Sequence, residues 1–187
     1  ILKDVSKTVP WEVTRTSFGD ENIDDHGDDY AKWFYYLSRP SPSIKTLEKY
    51  FQKASEEFNI PVEILHAIAK FESNWSMTSP TRDKGWGLMH LTDRGKDHSQ
   101  TLLEASELLN LSPEILKKDA LHNIRGAAAL LAKYNNYEHT SFTKYSDWLP
   151  SLKIVSGLER EDLQLGQAND YLKIIYDGAS SKTHWGE

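Results

Sequence analysis

Residues 66–75 read HAIAKFESNW, and the place of Glu72 in that run decides how the chain is read. Ile64, Leu65, Ile68 and Ala69 recur at three- and four-residue spacing, the buried stripe of an amphipathic helix. Glu72 stands three residues after Ala69, four after Ile68 and seven after Leu65, so it continues the stripe. Either the helix stops and the glutamate turns to solvent, beside a partner such as Arg82 or Lys84, or a carboxyl group is set against the core. In the second case burial disfavours the charged form, which suits a general acid working near neutral pH.

Outward from that stretch the chain reads as helix after helix. Upstream, Ile44, Leu47, Phe51, Ala54 and Phe58 form one stripe that Asn59 caps. Pro61 fits the first turn of the helix carrying Glu72. Residues 74–95 are rich in turn formers and predict a loop with a small hairpin. Beyond them, Thr101 with Glu104 resembles a capping box for a helix ending near Leu109. Ser112 with Pro113 opens a short helix. Asp119 opens a longer one, with Leu121, Ile124, Ala128 and Leu131 inward and Gly126 admitting a close neighbour. Ser146 is expected to cap a helix through Val155, stopped by Gly157, and a last helix runs from Glu161 to Tyr176 and ends at Gly178. The fold class is all-α with one irregular, hairpin-bearing insertion.

The flanks read differently. DENIDDHGDD at 20–29 holds six acids, followed by a short aromatic helix halted at Pro40. A calcium loop over Asp20, Asn22 and Asp24 fails, because its sixth position is Asp25 and its twelfth Ala31. Residues 1–41 are therefore expected to form an acidic, aromatic extension packing on a body at 42–178, with 179–187 opening a linker to a possible further domain. The chain starts at Ile1 without a leader pattern and reads as a mature or trimmed piece of something longer.

Composition narrows the function. The 187 residues, 39% hydrophobic and 11% aromatic, suit one folded domain with appendages. Six tryptophans and nine tyrosines mildly favour a carbohydrate groove. A net charge of −6 argues against general nucleic-acid binding and gives no electrostatic help toward an anionic membrane or wall. Without cysteine there is neither a disulfide framework nor a thiolate metal site, which fits the cytoplasm and equally a bacterial exoprotein. No apolar run is long enough to span a bilayer, and His66, His90 and His98 lack metal-ligand spacing.

FES at 71–73, GWGLMHLT at 85–92 and HNIRGAAALLAKY at 122–134 together resemble the soluble lytic transglycosylase and goose-type lysozyme superfamily. The likeness covers residues 44 to 137, and the third segment is most similar to the transglycosylase-type domains that precede an amidase module in some bacterial cell-wall hydrolases. It implies a lysozyme-like helical domain in which Glu72 is the catalytic acid. It further implies that Ser73 helps hold the sugar and that Gly87, Leu88 and Met89 line the cleft floor. His90 stands where the family usually has Gln, and a histidine still donates a hydrogen bond to a sugar. Trp86 is a candidate sugar stacker beside the turn, and Trp75 is either stacker or core. The family's Ala-Tyr-Asn-Ala-Gly-like motif, whose tyrosine sits by the glutamate, is missing from WLPSLKIVSG at 148–157; Tyr134, Tyr137 and Tyr145 lie near in sequence, and none takes the role.

The implied reaction is cleavage of the β-1,4 bond between N-acetylmuramic acid and N-acetylglucosamine in peptidoglycan, with one glutamate as general acid and base and no cofactor or metal. Asp83 and Asp93 flank the turn out of register with the lysozyme aspartates, which tilts the expectation from hydrolysis toward transglycosylation. The expected partner is the glycan strand, with no nucleic acid and no membrane insertion, and the expected setting is a secreted, monomeric protein at the bacterial wall. Two other readings stand beside it: a catalytically weak or inactive wall-binding module of a multidomain hydrolase, and a helical scaffold without sugar affinity.

Overall fold

The computed structural model describes residues 41–77, 81, 84–96, 98–135 and 144–180. Among them are seven α-helices, one 3-10 turn and one two-stranded antiparallel hairpin. The acidic and aromatic extension with its calcium-loop reading, Arg82, Asp83, Tyr137 and the tail from residue 181 lie outside the described residues. Among the described residues no helix is long and apolar enough to cross a membrane, and no cluster of His, Asp and Glu could hold a metal ion.

Helix α1 spans Ile44–Phe58 and buries Leu47, Phe51 and Ala54. Ser43 caps it by accepting from the Thr46 N–H, and Asn59 closes it in the left-handed conformation at φ 53°. Helix α2, Val62–Ser73, starts after Pro61 and buries the whole stripe of Ile64, Leu65, Ile68 and Ala69. It ends on two successive left-handed residues, Asn74 (φ 52°) and Trp75 (φ 59°), whose N–H groups return to the carbonyls of the last turn. Trp75 folds back along the helix, its Nε1 donating to the His66 carbonyl at 3.0 Å, so it packs against α2.

The hairpin follows, β1 Gly85–Trp86 and β2 Leu91–Thr92, with Gly85 opposite Thr92 and Trp86 opposite Leu91. Helices α3 (Thr101–Leu109), α4 (Pro113–Lys118) and α5 (Ala120–Tyr134) come next. Helix α5 is the hub: it packs against α1, α3, α4 and, later in the chain, α6 (Leu149–Val155). Gly126 makes this possible, since a Cβ there would come within 3.0–3.2 Å of Leu91, Leu116 and Ala105. Helix α7, Glu161–Asp177, packs on α6 and on α2, which brings the end of the chain back to Glu72.

Several local expectations are corrected. Thr101 is inside α3, and its Oγ1 accepts the Thr92 N–H at 2.8 Å instead of capping the helix; the Glu104 carboxylate takes Lys133 and Tyr134. Ser146 lies within the 3-10 turn Tyr145–Trp148, where Asp147 accepts from the Lys144 N–H, and α6 begins only at Leu149. In α5, Leu121 is half-buried, and Asn123 takes the inward position beside Ile124.

Candidate active site

Glu72 is the penultimate residue of α2, and 10% of its side chain remains exposed. Its two carboxylate oxygens meet different surroundings. On one side, α7 supplies two donors to Oε1: Gln167 Nε2 at 2.6 Å and the Tyr171 hydroxyl. Gln167 also reaches the Tyr171 oxygen at 2.5 Å, so amide, phenol and carboxylate close a triangle. Tyr171 is fully buried, with the Phe71 ring edge-on at 5.3 Å. Burial first, then the Glu72 charge and hydrogen bond, raise the phenol well above the usual tyrosine range, so it stays a donor.

On the other side, Oε2 faces His90 Nδ1 at 3.5 Å. His90 ends the turn Gly87-Leu88-Met89-His90 with a left-handed backbone, φ 52°, and its N–H returns to the Gly87 carbonyl at 3.2 Å. Its ring lies over Gly85, where any Cβ would come within 2.0 Å of it, and its Nε2 is 2.9 Å from Thr81 Oγ1. Glycine at 85 is what admits the ring.

The turn itself is held from beneath by Asn123, which is fully buried. Asn123 Oδ1 accepts the Met89 N–H at 2.8 Å, and its Nδ2 donates to the Trp86 carbonyl at 2.9 Å and the Leu116 carbonyl at 3.1 Å. Gly87, at φ 73°, lies so close that a Cβ would come 2.4 Å from that amide. Ser73 joins the turn to α2: its hydroxyl is 2.9 Å from both the Ala69 and the Leu88 carbonyl oxygens. The turn is thus fastened to α2 by Ser73 and to α5 by Asn123, which fixes the distance from Glu72 to His90.

The residues expected in the site are therefore brought together, in distinct places. Leu88 and Met89 are buried beneath the turn, and Ser73 is buried with its hydroxyl on backbone carbonyls. Trp86 is half-buried at the turn's edge, with the Lys117 ammonium 4.5 Å from its ring centroid. Asp93 is half-buried just past β2.

Tyr171 and Gln167 escaped the sequence reading. The stretch expected to hold the tyrosine, 148–157, instead contains α6, which buries Leu152 and Val155 and supports α7. Tyr134 is turned to Glu104, and Tyr145 to Glu63. The available signal is Gln167, Ala168 and Tyr171, which fall on one face of the helix at three- and four-residue spacing.

Residues 49–147 match the family model described as Transglycosylase SLT domain, a stretch that holds Glu72, the turn and Asn123 and stops before α7. No curated protein and no solved structure matches the chain.

Proposed function

The chain belongs to the transglycosylase SLT family, and on that premise we propose that Glu72 is the single general acid and base of a peptidoglycan lytic transglycosylase. Membership supports transglycosylase-type action on peptidoglycan, and the assignment to Glu72 rests on its site. The observation that carries it is the two-sided hold on one carboxyl group: neutral donors from α7 on Oε1, and Oε2 toward the turn.

In the first step, protonated Glu72 gives its proton to the glycosidic oxygen between N-acetylmuramic acid and N-acetylglucosamine, and the bond to the muramic carbon breaks. The sugar's acetamido group supports the positive charge that develops there. In the second step the 6-hydroxyl of the same sugar attacks that carbon, and the Glu72 carboxylate takes the hydroxyl proton. The product carries a 1,6-anhydro ring, and Glu72 is restored to its starting state. Ordinary glycosidases divide this work between two carboxylates. Here the donors on Oε1 favour the anion after the first step, and the sugar supplies its own nucleophile. This reading places the protein at the bacterial cell wall.

Mass spectrometry of the products from purified peptidoglycan tests it, wild type beside Glu72→Gln. Anhydro-muramic ends that disappear in the variant are the expected result. Reducing ends in their place would show that water is the acceptor. Sedimentation with the wall and no product at all would leave a binding module.

A further inference from the structure

Gln167 holds the acid with one end of its amide and leaves the other end open. Its Nε2 stands 2.6 Å from Glu72 Oε1 and 2.5 Å from the Tyr171 oxygen. The nitrogen is the inward end because both neighbours accept there: Glu72 as a carboxylate has no hydrogen to give, and the phenol gives its own to Glu72. The amide oxygen is therefore turned away, and it has no hydrogen-bond partner among the described residues. It is not enclosed either, since the buried side-chain nitrogens and oxygens without a partner among those residues are His66 Nε2 and Asn135 Nδ2. Gly166, the residue before, has nothing within 4 Å of where a Cβ would stand, so this flank of α7 is open. An unused acceptor thus lies one amide's width from the carboxyl group.

From this we infer that Gln167 is a substrate-binding residue whose side-chain oxygen takes the N–H of the sugar's 2-acetamido group. The inference rests on Glu72 being the acid of the proposed reaction, because that is what brings a sugar to this spot. When the glycosidic oxygen meets Glu72, the acetamido group hangs on the neighbouring ring carbon of the same sugar, within reach of a side chain that touches the acid. The other donors near the broken bond are hydroxyls, and the 6-hydroxyl gives its proton to Glu72 in the second step. The acetamido N–H gains most from an acceptor. As the acetamido oxygen supports the charge at the anomeric carbon, positive charge spreads onto the nitrogen, and its N–H becomes a stronger donor. An acceptor already fixed by its hold on Glu72 needs no reorganisation at that moment. A sugar with a hydroxyl in place of the acetamido group offers a donor without that charge, so the contact selects N-acetylated glycans.

Two soluble β-1,4-linked tetrasaccharides test this: chitotetraose, with an acetamido group on every sugar, and cellotetraose, with a hydroxyl in its place. Binding is measured by calorimetry in wild type, Gln167→Met and Tyr171→Phe. Wild type should prefer chitotetraose. Gln167→Met should lose about five- to tenfold in affinity for chitotetraose, the effect of one neutral hydrogen bond, and change less than about twofold toward cellotetraose. Tyr171 is fully buried and touches Glu72, so Tyr171→Phe should keep both affinities within about threefold. If Gln167 served only to support Glu72, the two variants would behave alike, and that result overturns the inference. A wild type that shows no preference, or that binds neither sugar, overturns it as well. A second arm needs no variant. The side-chain carbonyl carbon of Gln167, isotope-labelled and assigned by NMR through its own backbone, should shift on saturation with chitotetraose and not with cellotetraose. A resonance that chitotetraose leaves in place removes the contact. If wild type makes no anhydro product, the proposed reaction fails while both binding arms still decide the acetamido contact; anhydro product beside unchanged binding in Gln167→Met keeps the reaction and overturns the contact.

Discussion

Replacing Tyr171 with Phe removes one oxygen from the centre of the site and little else. The ring keeps its buried place and its edge-on contact with Phe71, so the packing of α7 on α2 survives. What goes is the hydroxyl that donates to Glu72 Oε1 and accepts from Gln167. That donor matters most when Glu72 is an anion, just after its proton has moved to the glycosidic oxygen. A hydrogen bond to a charged group contributes about 1.5–3 kcal/mol, and each ~1.4 kcal/mol is tenfold in rate. Gln167 remains 2.6 Å from the same oxygen and takes up part of the loss. The expected result is a fall in kcat of about 10- to 100-fold with KM changed less than about threefold, the signature of an interaction made in the transition state. Thermal melting should keep the variant within about 1 kcal/mol of wild type, because no apolar surface is exposed. A folded Tyr171→Phe protein with kcat within twofold of wild type would refute the role given to α7.

Two further outcomes follow from buried polar groups elsewhere. Asn123→Ala strands the Met89 N–H and the Trp86 and Leu116 carbonyls, and a buried group left unpaired costs about 1–3 kcal/mol, so urea denaturation should show a loss of about 3 kcal/mol or more; a loss below about 1 kcal/mol would mean the turn is not held by that amide. His66 packs edge-on to Phe51, with Nε2 buried and 3.7 Å from Glu48, beyond hydrogen-bond reach. Burial, opposed by the charges of Glu48 and Glu63, holds its folded pKa below the ordinary imidazole value of 6.5. The unfolded chain then binds the extra proton first, so stability is full above pH 6.5 and declines as pH falls toward the folded value. His66→Gln should flatten that decline in melting curves taken through this window; a parallel curve would show that His66 contributes nothing to it.

The helices were legible because the signals that make them are local. Leu47, Phe51 and Ala54 at helical spacing, with Ser43 and Asn59 at the ends, specify α1 whatever it packs against. Caps decided by tertiary contact were not legible. Thr101 has the right chemistry to cap α3, yet its hydroxyl is taken by the Thr92 N–H of a strand nine residues earlier. Half of the site was legible for the same reason: Glu72, Ser73 and the glycine turn lie within twenty residues and carry their own geometry. The other half arrives on α7, ninety-nine residues after the glutamate in the case of Tyr171, and no local pattern announces that pairing.

The division has a physical cause. An acidic side chain that continues a buried stripe is a liability for α2 alone, since a carboxyl group taken from water without partners costs several kcal/mol. It also stands at the C-terminal end of its helix, where the backbone dipole disfavours negative charge by about 0.3–1 kcal/mol. Ser73, the next residue and the nearest hydroxyl in α2, is committed to carbonyls. Another element supplies relief. Helix α7 is mostly exposed, with Ala168 and Tyr171 buried and Gln167 and Tyr171 turned to Glu72. Its docking is therefore linked to the charge state of the glutamate: the donors of α7 gain most when Glu72 is ionised, and the ionised state is better tolerated with α7 in place. The same linkage that lets the fold accept a carboxyl group in its core stabilises the anion left after proton transfer, so the misfit in the stripe and the chemistry have one origin.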